Sequence, residues 1–129
     1  MIKVAEVMTA PVLTVDEEAT VLEAGRIMGR RHIGSVIVTR QGKPVGILTE
    51  RDLLSKAFGK GLAPGRVRVK RLMSSPLTVI HPDRELKEAA RIMAQLRIRR
   101  LPVLQNGQLV GILTAADIVA ALARAPLAI

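Results

Sequence analysis

The chain has 129 residues and no cysteine, which excludes a disulfide scaffold and a thiolate nucleophile. Hydrophobic residues make up 49% of it and the net charge is +9, so we expect a folded domain with an anionic partner. The sequence contains no run of about 18 apolar residues and no signal-peptide pattern, so we expect a cytoplasmic protein without a membrane span.

An internal repeat organises the sequence. Residues 7–58 align without a gap with residues 72–123, and 16 of the 52 aligned pairs are identical. Self-similarity at a fixed period indicates two copies of one structural unit. The repeat predicts four segments: repeat 1 over residues 1–58, a linker over 59–66, repeat 2 over 67–124 and a C-terminal tail over 125–129.

The first copy alternates helical and strand patterns. In chain order it predicts a lead-in turn over Lys3–Met8, a strand after Pro11, a helix over about 20–31, strands Val36–Thr39 and Val45–Leu48, and a helix after Thr49.

The second copy repeats this order. It predicts a lead-in turn over Lys70–Met73, a strand after Pro76, a helix over about 84–96, strands Leu101–Leu104 and Leu109–Leu113, and a helix over Ala115–Ala123. Asn106-Gly107 between the last two strands favours a type I′ hairpin, in which both central residues have positive φ.

Each copy therefore reads as β-α-β-β-α. A unit of about 55 residues is marginally stable alone, so we expect the two sheets to pack against each other. The predicted fold is α/β of the α+β type, with two repeats related by a pseudo-twofold axis.

The last helix of each copy carries apolar residues on more than one side, which is typical of a helix buried on two faces. We therefore predict a homodimer that buries the faces formed by Leu53, Leu54, Phe58, Ile118, Val119 and Leu122.

Catalytic and metal-binding motifs are absent from the sequence. His32 and His81 are the two histidines, and neither has a motif partner nearby. We therefore predict a protein that is not an enzyme and that has no catalytic residue, metal or resident cofactor.

The most informative motif is Gly-Ile-Leu-Thr-x-x-Asp, which occurs at Gly46–Asp52 and again at Gly111–Asp117. A threonine followed three residues later by an aspartate resembles a helix-capping box, worth about 1 kcal/mol. A carboxylate at a strand-to-helix junction is also suited to accept hydrogen bonds from both hydroxyls of a ribose. The pattern alone leaves both interpretations open.

The ordered set of motifs resembles the CBS domain family, and two such domains in tandem resemble a Bateman module. The second copy contains Met73-Ser74-Ser75-Pro76, Thr78-Val79, Leu86–Ala89, Arg100–Val103 and Gly111–Asp117. The first copy contains the corresponding pieces, with Gly34-Ser35 where the second has Arg99-Arg100. The resemblance covers residues 1–124.

This resemblance implies regulatory binding of AMP, ADP, ATP or S-adenosylmethionine in clefts between the repeats. It implies that Thr49, Asp52, Thr114 and Asp117 hold the ribose. It also implies an adenine pocket made by Thr14, Val15, Val36, Ile37, Val38, Thr78, Val79, Leu101, Pro102 and Val103. The implied phosphate-binding residues are Arg51, Arg99 and Arg100, and the partner would be an effector protein that the sequence does not identify.

Two other functions remain open from the sequence. Residues 66–129 hold 11 basic and 4 acidic side chains, which also suits a nucleic-acid or polyphosphate binder. The single aromatic residue, Phe58, disfavours base stacking by such a protein. The third interpretation is a structural dimerisation module without a ligand, in which the Thr–Asp pairs only cap helices.

Overall fold

The structure, a computed structural model, describes residues 1–126, so residues 127–129 of the predicted tail lie outside the described part. It has an α+β fold with two small sheets. Short 3-10 turns at Val4–Glu6 and Pro64–Arg66 accompany the following elements: β1 (Thr14–Asp16), α1 (Val21–Arg31), β2 (Ser35–Arg40), β3 (Lys43–Thr49), α2 (Glu50–Asp52) continued by a π-helical segment (Leu53–Phe58), α3 (Val69–Leu72), α4 (Leu86–Leu96), β4 (Arg100–Gln105), β5 (Gln108–Thr114) and α5 (Ala115–Arg124).

Both predicted hairpins are present. Strands β2 and β3 pair antiparallel, as do β4 and β5. At the second hairpin Asn106 and Gly107 have φ values of 53° and 76°, and Gln41 and Gly42 of the first have 51° and 80°. Positive φ at both central residues is the requirement of a type I′ turn, so the turn prediction is confirmed.

The first strand of the repeat forms fully only in the first copy. There β1 pairs parallel with β2, whereas the second copy has a single parallel bridge between Ile80 and Val103. Two prolines explain the difference, because proline has no N–H to donate. Pro102 stands where Ile37 donates to Leu13, and Pro82 stands where Glu17 donates to Thr39.

The chain forms two compact units, and the lead-in segments are exchanged between the repeats. One unit comprises residues 13–77, and the other comprises residues 1–12 with the chain from residue 78 onward. Val4 of the first lead-in is buried with the core of the second repeat, whereas Val69 and Leu72 are buried with that of the first. The repeat bounds predicted from the sequence, residues 1–58 and 67–124, stay a prediction. A duplicated segment of sequence need not coincide with a compact unit of the structure.

Helices α1 and α4 are amphipathic, as their spacing predicts. Helix α1 buries Val21, Ala24 and Met28, and the corresponding residues of α4 are Leu86, Ala89 and Met93. The Thr20 hydroxyl accepts a hydrogen bond from the Glu23 N–H at 3.1 Å and so caps the start of α1. No helix among residues 1–126 is long and apolar enough to cross a bilayer.

The exchange of lead-in segments explains the glycine of the repeated motif. A Cβ atom on Gly111 would lie 2.5 Å from the Met8 sulfur and 3.1 Å from the Thr9 carbonyl oxygen. A Cβ on Gly46 would lie 2.6 Å from the Met73 sulfur and 3.0 Å from the Ser74 carbonyl oxygen. The motif glycines are therefore required by close approach of the lead-in.

We expect Gly111→Ala to lower the free energy of unfolding by about 1–3 kcal/mol, because the added methyl group overpacks this contact. Gly29→Ala is the matched control, because a Cβ there meets nothing within 4 Å on helix α1. That control should gain about 0.5–1 kcal/mol from reduced backbone entropy. Urea unfolding of both variants measures the difference, and a neutral Gly111→Ala would show that the lead-in moves aside freely.

Candidate functional site

The first Thr–Asp pair forms a closed capping box where β3 ends. The Asp52 Oδ2 atom accepts hydrogen bonds from the Thr49 N–H at 2.9 Å and the Thr49 hydroxyl at 3.1 Å. In return, the Thr49 hydroxyl oxygen accepts from the Asp52 N–H at 3.2 Å. Asp52 is 7% exposed and is the buried charged residue of the described chain. The capping geometry expected from the spacing is therefore present at this pair, and ribose binding by Thr49 and Asp52 stays a prediction.

A lysine that sequence reasoning missed completes this arrangement. Lys56 Nζ lies 3.0 Å from Asp52 Oδ1 and also donates to the Leu72 carbonyl oxygen at 3.0 Å. Lysine four residues after aspartate on a helix is the spacing at which ion pairs form, so the sequence did carry a signal. The corresponding residue of the second repeat is Ala121.

The second Thr–Asp pair forms the same box with fewer bonds. The Asp117 Oδ2 atom accepts from the Thr114 N–H at 2.9 Å, and the Thr114 hydroxyl oxygen accepts from the Asp117 N–H at 3.1 Å. Among residues 1–126, the Asp117 carboxylate has no ion-pair partner and the Thr114 hydroxyl donates to no protein acceptor. Asp117 is half-buried, so a ligand from solvent can reach it.

The apolar residues assigned to the first adenine pocket lie together on neighbouring strands. Val15 of β1 pairs with Val38 of β2, and Thr14 pairs with Ile37. Val15 and the run Val36–Val38 are buried, whereas Thr14 is exposed. Ser35 is the cross-strand partner of Thr49, so this strand ends beside the capping box.

In the second repeat the strand register differs from the motif alignment. Leu101, Pro102 and Val103 are buried in β4. Ile80 bridges to Val103 and is 5% exposed, so it occupies the place that Val15 holds in the first repeat. Thr78 is exposed and Val79 is 41% exposed. The structural counterpart of Val15 is therefore Ile80, one residue beyond the Thr78-Val79 pair.

The arginines assigned to phosphate binding lie beside the capping boxes of their own repeats. Arg100 is the direct cross-strand partner of Thr114, which places the two side chains on one face of the hairpin. The Arg99 carbonyl oxygen accepts from the Ala115 N–H at 2.8 Å at the start of α5. Arg51 lies between Thr49 and Asp52 on α2 and is exposed.

The geometry suits recognition of a polar ligand at two strand-to-helix junctions. At the start of α5 the Ala115 N–H donates to the Arg99 carbonyl oxygen and the Asp117 N–H donates to the Thr114 hydroxyl oxygen. The positive charge available to an anion at this junction is therefore that of the arginines. Within the described residues, no group of three or more His, Asp or Glu side chains is placed to hold a metal ion.

The family model "CBS domain" matches residues 4–59 and again residues 69–124. The chain belongs to the CBS domain family. CBS pairs are regulatory, ligand-sensing modules, and the two matches correspond to the two copies of the internal repeat.

One CBS relative is the uncharacterized protein MK0525 of Methanopyrus kandleri, which is 40% identical over 119 residues. The match covers 91% of this chain and 61% of the relative, so the chain spans about three fifths of that protein.

Two solved CBS structures resemble this one. The hexameric CBS-CP12 protein from bloom-forming cyanobacteria is 34% identical, with a TM-score of 0.88 over 98% of this chain and 75% of that chain. The CBS pair of protein MJ0100, in complex with 5′-methylthioadenosine and S-adenosylmethionine, has a TM-score of 0.85 over 95% of this chain and 97% of that chain. At 24% identity the second likeness shows the fold alone.

Proposed function

We propose that this CBS pair is a non-catalytic regulatory module that binds an adenosine-containing ligand. The ligand classes are AMP, ADP, ATP and S-adenosylmethionine, with adenine nucleotides favoured because arginines accompany the ribose-binding pairs. The solved complex of protein MJ0100 with 5′-methylthioadenosine and S-adenosylmethionine, which has the same fold, supports the adenosine class.

The observation that carries the proposal is the exposed acceptor capacity at Asp117. An ionised carboxylate has about four lone-pair positions, and Asp117 receives one hydrogen bond from the described chain. A helix cap requires no more than that one bond. The remaining positions suit the two hydroxyls of a ribose, with the Thr114 hydroxyl as a further donor.

The surroundings of this carboxylate support a nucleotide over a free sugar. Arg100 stands opposite Thr114 on the neighbouring strand. Guanidinium groups bind phosphate oxygens in bidentate fashion. We therefore propose that Arg51, Arg99 and Arg100 hold the ligand's phosphates.

We propose further that the ligand signal passes to an effector protein and that the module acts as a homodimer in the cytoplasm. Large apolar side chains are exposed on the final helix of each repeat: Leu54, Phe58, Val119 and Leu122 are 66%, 67%, 64% and 48% exposed. The hexameric CBS-CP12 protein is a CBS pair in a larger assembly.

A thermal-shift panel tests the ligand class. The panel contains AMP, ADP, ATP, S-adenosylmethionine, NAD, GMP and an oligonucleotide. A ligand present at 100 times its dissociation constant should stabilise the protein by about 2.7 kcal/mol. We expect this shift from an adenosine ligand and little from GMP. If only the oligonucleotide raises the melting temperature, the proposal is wrong and the protein binds nucleic acid instead.

Arginine variants test the proposed phosphate contacts. A charge-assisted hydrogen bond contributes about 1.5–3 kcal/mol, so Arg100→Ala should weaken AMP binding by roughly tenfold or more. Adenosine has no phosphate, so its affinity should change little. Arg51→Ala and Arg99→Ala are measured in the same way, and Arg91→Ala, an exposed arginine of α4, is the control. If the ratio of AMP to adenosine affinity is unchanged in all three variants, these arginines do not contact the phosphate and are ordinary surface residues.

A further inference from the structure

Lys56 makes the two ribose-binding pairs of the proposed function unequal. We infer that Lys56 is a specificity-determining residue that occupies the first repeat's carboxylate, so that the second repeat binds the ribose diol first. This inference rests on the proposed function, and it concerns one lysine that the repeat does not duplicate.

The hydrogen-bond inventory of the two carboxylates gives the first argument. Asp52 accepts two hydrogen bonds from Thr49 on Oδ2, and its Oδ1 forms an ion pair with Lys56 Nζ at 3.0 Å. Asp117 receives one such bond among residues 1–126, from the Thr114 N–H. A carboxylate offers about four acceptor positions, so roughly three remain at Asp117. At Asp52 both oxygens are already engaged, one by Thr49 and the other by the Lys56 ammonium. A diol that donates two bonds therefore fits Asp117 without displacing any protein group.

The threonine hydroxyls give the second argument. The Thr49 hydroxyl donates to Asp52 Oδ2 and accepts from the Asp52 N–H, so its proton is already used. The Thr114 hydroxyl accepts from the Asp117 N–H, and its proton has no acceptor among the described residues. The Thr114 hydroxyl can therefore donate a hydrogen bond to a ligand, whereas the Thr49 hydroxyl already donates to Asp52.

The anchoring of Lys56 gives the third argument. Its ammonium group contacts both Asp52 Oδ1 and the Leu72 carbonyl oxygen at 3.0 Å, and its side chain is 39% exposed. Leu72 belongs to the lead-in helix α3, which is packed into the core of this unit. Two fixed acceptors hold the ammonium in place, so a ligand must displace it or accept a partly filled carboxylate. The second repeat has Ala121 at this position and has no such cation.

The experiment isolates each site and then removes the lysine. Asp117→Ala leaves the first repeat's pair, and Asp52→Ala leaves the second. Adenosine and 2′-deoxyadenosine are titrated calorimetrically into each variant, with and without Lys56→Met. The deoxy compound lacks one hydroxyl of the diol, so the ratio of the two affinities reports how fully the carboxylate engages the ribose.

We expect the Asp52→Ala protein to bind adenosine roughly tenfold or more tightly than the Asp117→Ala protein, and to discriminate against 2′-deoxyadenosine more strongly. Lys56→Met should raise the adenosine affinity and the discrimination of the Asp117→Ala protein by roughly tenfold. It should leave the Asp52→Ala protein unchanged, which controls for a general effect of the substitution.

Other outcomes contradict the inference. Equal affinities of the two isolated sites, or no gain from Lys56→Met in the Asp117→Ala protein, overturn the role of Lys56 while leaving the proposed function intact. Absence of adenosine binding to the wild-type protein overturns both. If an alanine variant unfolds, Asp117→Asn or Asp52→Asn replaces it, because asparagine keeps a side-chain oxygen for the N–H of Thr114 or Thr49.

Discussion

Asp117→Ala is expected to lower the affinity of the second repeat for AMP by at least about a hundredfold. The proposed complex places two ribose hydroxyls on this carboxylate, and each hydrogen bond to a charged group contributes about 1.5–3 kcal/mol. The loss should appear as the disappearance of one binding event in titration calorimetry. Asp52→Ala should remove the other event, which the contact with Lys56 makes the weaker of the two.

The capping role of both aspartates must be separated from ligand binding. Alanine removes the acceptor for the Thr114 N–H, which should also cost about 1 kcal/mol of unfolding free energy. Asp117→Asn keeps an oxygen for that N–H and removes the charge. We expect the asparagine variant to melt close to the wild type while binding AMP at least tenfold more weakly. If the Asp117→Ala protein is destabilised but binds AMP with wild-type affinity, the Thr114–Asp117 pair caps the helix and does not bind ribose.

Leu54→Glu together with Val119→Glu is expected to convert a homodimer into monomers. Leu54 and Val119 are 66% and 64% exposed on the final helices of their repeats. An exposed apolar patch marks an interaction surface, and an unpaired carboxylate buried in such an interface costs several kcal/mol. Light scattering at high micromolar concentration measures the mass of the wild type and the variant.

Gln95→Glu is the matched control for this dissociation, because Gln95 is an exposed polar residue of α4. It adds one carboxylate on α4, where the double variant adds two on the final helices, and it should keep the wild-type mass. A monomeric wild type would contradict the dimer. An undiminished mass in the double variant would place the interface elsewhere on the chain.

Much of the fold could be predicted because the repeat doubles every local signal. The positions of α1 and α4 follow from apolar spacing, and the hairpin turns follow from Gln41-Gly42 and Asn106-Gly107. The exchange of lead-in segments could not be predicted, because periodicity does not show which core buries Val4 or Val69. Only tertiary packing decides between two similar cores.

The candidate site was also predictable only in part. The Thr–Asp pairs were recognisable from spacing alone, and the structure places each pair at the predicted strand-to-helix junction. The Thr78-Val79 assignment follows the Thr-Val motif, which lies one residue before the backbone pairing, although the gap-free repeat alignment already places Ile80 opposite Val15. The repeat gives no signal for Lys56, because the second copy has Ala121 at this position and the effect of the lysine arises from that difference.

Titration of AMP into the wild-type protein and into the Asp52→Asn, Asp117→Asn double variant tests the central claim most directly. Asparagine keeps a side-chain oxygen that accepts from the Thr49 and Thr114 N–H groups, so a difference in heat reports on the carboxylate charges. We expect saturable AMP binding to the wild type and at least tenfold weaker binding to the double variant, with similar melting temperatures. No AMP binding to the wild type, or equal affinity in the two proteins, would contradict it.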